Sequence, residues 1–193
     1  MVKIVIASTN KHKLEEINAI NTNKNIEFEI IEGKFNPEEN GKTFEENAVI
    51  KAKAAAEIVK TYCLADDSGL CVDYLNAQPG IYSSRYAPSA KERITKLLSE
   101  MNGVPFEKRG AHFTCSMVLV DKKGDVIHSE TGRIFGFIDT KEKGENGFGY
   151  DPIFYIKELD KTMAQIPENE KNRISHRANA LIPMLNWIEK NLL

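Results

Sequence analysis

The densest chemistry in the chain lies in Leu64-Ala65-Asp66-Asp67-Ser68-Gly69-Leu70. Two adjacent carboxylates behind an apolar run suit a hard divalent cation, or a water that must be polarised. Neighbours on extended backbone point to opposite faces, so Asp66 and Asp67 are expected to do different jobs. Ser68-Gly69 reads as a tight turn that adds a hydroxyl. The plainer reading is an Asp-Ser-Gly turn capped by its own side chains. A second candidate is Ser8-Thr9-Asn10-Lys11-His12-Lys13, set between a strand and a helix. A polar loop at a helix N-terminus offers backbone N–H groups and the positive end of the dipole, and Lys11 or Lys13 adds charge, so the place suits phosphate. It lacks the glycines and the Gly-Lys-Ser/Thr ending of a Walker loop. A helix cap with solvated lysines is the plainer alternative.

Lys51 is the third signal. At about 100° per residue, Phe44, Ala48, Ala55 and Ile58 share a narrow apolar stripe, with Lys51 in its middle and Asn47 on its edge. A lysine there must snorkel or meet an anion; an anionic partner is expected. Further on, residues 144–152 are dense in glycine, which lets backbone approach a ligand closely. Phe148 and Tyr150 offer aromatic faces for a planar ring, and Asp151 accepts hydrogen bonds. Packing of both rings on the core is the simpler alternative. Ser175-His176-Arg177 gathers a hydroxyl, an imidazole and a guanidinium, a set suited to carbonyl oxygens on a base, or simply an N-cap with two solvated basic residues.

These residues need elements to hold them. Residues 2–7 read as a β-branched strand, and Leu14, Ile17 and Ile20 recur at helical spacing. Residues 28–35 read as a weaker strand, followed by the acidic turn Asn36-Pro37-Glu38-Glu39-Asn40-Gly41. Thr43 and Glu46 form a capping box for a helix running to about Lys60. Residues 62–65 and 70–72 read as short strands on either side of the turn. Residues 89–101 form an amphipathic helix with Ile94, Leu97, Leu98 and Met101 on its apolar side. Residues 111–120 and 125–138 make a long hairpin, so part of the sheet is antiparallel. Residues 153–156 return as a buried strand. A last helix carries Leu181, Leu185, Ile188 and Leu192, with Pro183 expected to kink it or mark a late start.

At 193 residues, 41% hydrophobic and 28% charged, the chain suits one domain or two lobes on a shared core. A net charge of -2 argues against coating nucleic acid or an anionic membrane. Cys63, Cys71 and Cys115 sit in apolar segments without a CxxC pair, as reduced buried thiols would. No stretch is apolar for long enough to span a bilayer.

Taken in order, Ser8 to Lys13, Thr43-Phe44-Glu45-Glu46-Asn47-Ala48 with Lys51, Leu64 to Leu70, Phe148-Gly149-Tyr150-Asp151-Pro152 and Ser175-His176-Arg177 resemble the HAM1, or inosine triphosphate pyrophosphatase, family in its bacterial branch. The resemblance covers essentially the whole chain. It implies an α/β fold with a long mixed β-sheet flanked by helices, and a single domain, 1–193, with two lobes around a central cleft. It implies cleavage of ITP, dITP and XTP to monophosphate and pyrophosphate, with Mg²⁺, by a cytoplasmic homodimer that binds neither nucleic acid nor membrane. Ser8, Thr9, Asn10, Lys11, His12 and Lys13 would hold the triphosphate, with Lys51 helping. Glu39 and Asp67 would bind metal, leaving a one-residue ambiguity with Glu38. Asp67 would also serve as general base, supported by Asp66, and Ser68 would touch substrate. Phe148, Gly149, Tyr150, Asp151, Lys171, Ser175, His176 and Arg177 would surround the base. The alternatives are pyrimidine triphosphate pyrophosphatase or γ-phosphatase chemistry on the same scaffold, and a regulator that holds nucleotide without turnover.

Overall fold

Period two along the strands decides what each layer receives. In the computed structural model, which describes residues 1–193, the first strand β1 (Val2–Ile6) sends Ile4 and Ile6 to one face of the sheet and Val5 to the other. The helix α1 (Lys11–Ile20) leads to β2 (Ile26–Ile30), which pairs parallel with β1 from Val2↔Ile26 to Ile6↔Ile30. The helix α2 (Phe44–Val59) then leads to β3 (Tyr62–Val72), which pairs parallel with the opposite edge of β1, Ile4↔Tyr62 to Ile6↔Leu64. The chain thus leaves β1 to one side and returns on the other. Such a reversal of strand order is where open α/β sheets bind ligands, beyond the carboxyl ends of the strands. Ser8 and Asp66 follow Ile6 and Leu64 by two residues each, at that end.

Further strands are β4 (Gln78–Pro79), β5 (Gly110–Val120), β6 (Val126–Ile138), β7 (Phe154–Ile156) and β8 (Lys161–Thr162). The eight-stranded sheet runs β2-β1-β3-β5-β6-β7-β8, with β4 on β3. Parallel pairs at one end and antiparallel β6–β7–β8 at the other make it mixed, as expected. The remaining helices are α3 (Ala90–Glu100), α4 (Glu168–Ile174) and α5 (His176–Leu192).

The chain divides into two compact units. The first holds Met1–Asp67, Cys115–Gly132 and His176–Leu193; the second holds Ser68–Thr114 and Arg133–Ser175. In the first, Ile4, Ile6, Leu64, Cys115, Met117 and Leu119 pack with Ile17 of α1 and Leu181, Met184 and Ile188 of α5. The opposite parity, Val5, Cys63, Ala65, Val118 and Val120, packs with the alanines of α2. The second unit's core gathers Leu70, Val72, Leu97, Met101, Phe113, Ile138 and Phe154. There the buried Arg109 guanidinium donates to the carbonyls of Ile138, Met101 and Asp139 at 2.6, 2.7 and 2.9 Å.

Several expectations need correction. Ser68-Gly69 is not a turn: β3 runs through both residues without a positive φ. Residues 62–65 and 70–72 are one strand, because ladder partners along β3 override the local turn preference of Ser-Gly. The second strand ends at Ile30 and does not reach residue 35. Ile58 is 60% exposed; the buried face of α2 is instead Asn47, Ala48, Lys51, Ala52, Ala55 and Ala56. Thr43 caps α2 by accepting from Glu46 N, but the Glu46 carboxylate reaches the Lys42 amide, one residue before the cap. Residues 168–174 form a short helix of their own, and α5 begins at His176 with Pro183 inside it, so Pro183 does not mark a late start. The hairpin, the amphipathic α3 and the three free buried cysteines match expectation, and a capping box of Ser89 with Glu92 that was not foreseen opens α3.

Candidate active site

Strand parity separates the two acids. Asp66 continues the Leu64 face toward α1 and α5; Asp67 continues the Cys63 and Ala65 face toward α2. Asp66 is 4% exposed. Its Oδ1 accepts from Lys13 Nζ at 2.7 Å and its Oδ2 from Arg177 at 3.0 Å. Arg177, in the first turn of α5, also donates to Glu16 of α1. Gly132 permits this placement: a Cβ there would meet the Ala180 nitrogen and the His176 carbonyl oxygen at 2.3 Å. Burial alone would raise the Asp66 carboxyl, but the charges of Lys13, Arg177 and Lys51 outweigh it and hold the group far below the usual carboxylate range.

Asp67, 9% exposed, meets a different set. Its Oδ1 accepts from Lys51 Nζ at 2.9 Å and its Oδ2 from Asn47 Nδ2 at 3.2 Å. Glu39 Oε1 lies 3.4 Å from the same Lys51 nitrogen. The lysine expected to find an anion therefore faces two. The alanines beside it let α2 lie close to the sheet, and a buried ammonium without such partners would cost several kcal/mol, of order 3–5. Burial lifts Asp67 above the ordinary carboxylate range, and Glu39 adds to this despite Lys51 and Asn47. Burial works against the charge of Lys51, yet Asp67, Asp66 and Glu39 hold it protonated above its ordinary value. Glu38 is exposed, and Glu39 is the residue turned to Lys51.

The loop ahead of α1 is ordered by its own polar groups. Ser8 Oγ accepts from Asn10 N at 3.1 Å, and Asn10 Oδ1 caps the helix through His12 N at 3.0 Å. Thr9, Lys11 and His12 are exposed, and His12 pairs with Glu15. Lys13 turns away from its neighbours in the loop toward Asp66.

In the second unit, Asp151 is buried beside Lys171 at 2.7 Å and also accepts from Phe148 N at 2.9 Å. Lys171 Nζ lies 4.6 Å from the centre of the Phe148 ring, which is 56% exposed. Gly147, at φ +77°, is required: a Cβ there would stand 2.1 Å from Asp151 Oδ2. Gly149 also has a positive φ, and Ser175 N bonds to Lys171 O at the end of α4. Tyr150 departs from expectation. It is buried in the unit's core and its hydroxyl donates to Ser83 O at 3.0 Å, so it offers no open ring face.

The structure brings Glu39, Lys51 and Asp67 together, and separately joins Lys13, Asp66 and Arg177. Lys13 and Arg177 both have Asp66 as carboxylate partner, and Arg177 has Glu16 as a second. Ser68 is half-buried within β3, and His176 is buried in the first turn of α5. Sequence reasoning missed Glu16, which nothing distinguishes from other charged helix residues, and the part played by Asn47, whose place on the edge of the lysine's stripe was the available signal.

Comparison with known proteins adds the following. The Ham1 family profile matches residues 4–187. A Thermoanaerobacter pseudethanolicus protein named dITP/XTP pyrophosphatase is 42% identical over 197 residues, covering 99% of this chain and 98% of its own. A Bacillus subtilis protein of the same name is 42% identical over 195 residues, covering 98% of each chain. The structure of the Staphylococcus aureus Ham1 protein superposes with a TM-score of 0.88 at 41% identity, covering 97% of this chain and 98% of that one.

Proposed function

Since this chain belongs to the Ham1 family, we propose that it hydrolyses the non-canonical purine triphosphates ITP, dITP and XTP to the monophosphate and pyrophosphate. The observation that carries the reading is the single Lys51 ammonium set between the Glu39 and Asp67 carboxylates, at 3.4 and 2.9 Å. Two acids sharing one cation leave a local excess of negative charge made of hard oxygen donors. That set fits Mg²⁺, which is commonly held by one or two carboxylates together with substrate phosphates. Glu39 and Asp67 would hold it, and when bound it would neutralise phosphate charge and acidify a water.

The chain's own groups do the rest. The N-terminus of α1, with Ser8, Thr9, Asn10, Lys11 and His12, receives the triphosphate through amides, hydroxyls and dipole. Lys51 carries a charge near enough to shift from carboxylate to phosphate. Asp67 takes the proton of the water that attacks the α-phosphorus. Its raised pKa makes it a better base than an ordinary carboxylate, while Asn47 and Lys51 hold its orientation. Asp66, with both oxygens occupied, acts as a positioning residue, and Lys13 and Arg177 act on it first.

The second unit supplies base recognition. Phe148 offers the stacking face, over the Asp151–Lys171 pair, and Ser175 closes the unit; His176 and Arg177, which follow on the chain and open α5 of the first unit, complete the set. Donors from these residues pair with a 6-keto oxygen. Adenine presents an amino group there and would leave donors unpaired, which rejects it strongly. Homodimerisation, a cytoplasmic location and the absence of nucleic-acid or membrane partners belong to the same proposal. No helix is long and apolar enough to cross a membrane.

Incubation with ITP and Mg²⁺, followed by separate assays for pyrophosphate and orthophosphate, tests the reading. Pyrophosphate in step with IMP is expected. Orthophosphate alone would overturn attack at the α-phosphorus, and no release would favour a nucleotide-holding regulator.

A further inference from the structure

Asn47 is fully buried on α2, and both ends of its amide are engaged. Its Oδ1 accepts from Gly41 N at 2.9 Å, and its Nδ2 donates to Asp67 Oδ2 at 3.2 Å. The backbone N–H of Gly41 can only donate, so it fixes which end of the amide is oxygen and leaves the NH₂ for the carboxylate. Gly41 lies two residues beyond Glu39, in the acidic loop. One side chain therefore ties the loop bearing one proposed ligand to the other ligand.

The fit around this tie leaves no slack. A Cβ on Gly41 would stand 2.7 Å from Asn47 Oδ1, 2.8 Å from Glu46 Cβ and 2.9 Å from Asn47 N. Residue 41 must be glycine for the loop to seat on the first turns of α2. Lys51, one helical turn after Asn47, meets Glu39 and Asp67 on the same side of the helix. The loop carries no strand or helix of its own between Ile30 and Phe44, so bonds of this kind set where Glu39 stands.

We propose that Asn47 is a positioning residue that sets the spacing between Glu39 and Asp67 for a divalent cation, with Gly41 as its required partner. The inference rests on the assignment of those two acids as metal ligands. Partners that orient metal ligands are commonly worth 10- to 100-fold in metal affinity.

The test titrates Mn²⁺ into nucleotide-free protein and follows free Mn²⁺ by electron paramagnetic resonance, for wild type, Asn47→Leu and Gly41→Ala. Both variants should bind about 10-fold more weakly, and Asn47→Leu should speed hydrogen exchange at the Gly41 amide. Pyrophosphate release from ITP by each variant should recover toward the wild-type kcat as Mg²⁺ is raised. A merely structural defect would not recover in this way. Gly41→Ala replaces no residue of α2 or β3 and acts only through the loop's seat on Asn47, so it carries the test if Asn47→Leu fails to fold. Unchanged Mn²⁺ affinity in the folded variants would overturn the role of Asn47 alone. A wild type that binds no Mn²⁺ would overturn the ligand assignment, and this inference with it. A wild type that binds Mn²⁺ but does not cleave ITP would overturn the proposed reaction and leave the affinity comparison to decide on Asn47.

Discussion

Asp66 and Asp67 are joined by one peptide bond and are almost equally shielded from solvent, yet their surroundings are opposite. On the α1 and α5 face, Asp66 meets Lys13 and Arg177, with Glu16 balancing the second cation. Every charge there has a counter-charge. On the α2 face, Asp67 shares Lys51 with Glu39, and one carboxylate's worth of charge is left over. The carboxyl is held far down in the first setting and pushed up in the second. A balanced buried cluster holds structure in place. An unbalanced one has capacity for a cation, a proton or an anion exchanged onto its lysine. Burial is common to the two acids; the ratio of carboxylates to cations around each is what separates them.

Replacement by asparagine should separate the two most sharply. Asp67→Asn should lower kcat for ITP about 1000-fold, as expected for loss of a general base. Nucleotide binding by calorimetry and the melting temperature should hold. Equal losses of turnover and stability would break the comparison. Asp66→Asn should instead cost about 3 kcal/mol in urea unfolding, because it strands buried cations. The lower part of the range for a broken buried pair applies, since Glu16 still faces Arg177.

The third test follows acid. The depressed Asp66 carboxyl contributes stability that is complete above its unfolded value near 3.9 and is lost as pH falls below that toward the folded value. Urea midpoints taken between pH 6 and pH 3 should show the gap between wild type and Asp66→Asn closing below about pH 4. The raised Asp67 behaves in the opposite sense: its protonation on acidification relieves a buried charge and adds nothing to acid unfolding. A gap that stays constant would remove Asp66 from the stabilising network. The smallest expected effect is that of Glu16→Gln, about 1 kcal/mol in the same melts with kcat unchanged. A large loss of turnover would tie the two faces together.

Part of this contrast was legible in the sequence. Period two separates Asp66 from Asp67, and Lys51 at the centre of an apolar stripe announces an anion. What failed was judgement from neighbours in sequence. Ser68-Gly69 has turn chemistry, but β3 has partners on both sides and stays extended. Ile58 lies on the lysine's stripe near the end of α2 and is exposed, while Ala52 and Ala56, off that stripe, are buried against the sheet. Tyr150 stands in a glycine-rich stretch that resembles a ligand loop, yet its hydroxyl finds Ser83 67 residues earlier in the chain. Glu16 and Arg177 are 161 positions apart, and no local pattern encodes that pairing.

The uninterrupted course of β3 also constrains how this gene can vary. A single-residue deletion or duplication just upstream of Asp66 would rotate both acids by half a repeat. A deletion would carry Asp67 to the place among guanidinium and ammonium groups that Asp66 now holds, and a duplication would carry Asp66 to the place beside Lys51 and Glu39. Length changes in this strand should therefore be absent from any functional library, even where point replacements at Leu64 or Leu70 survive.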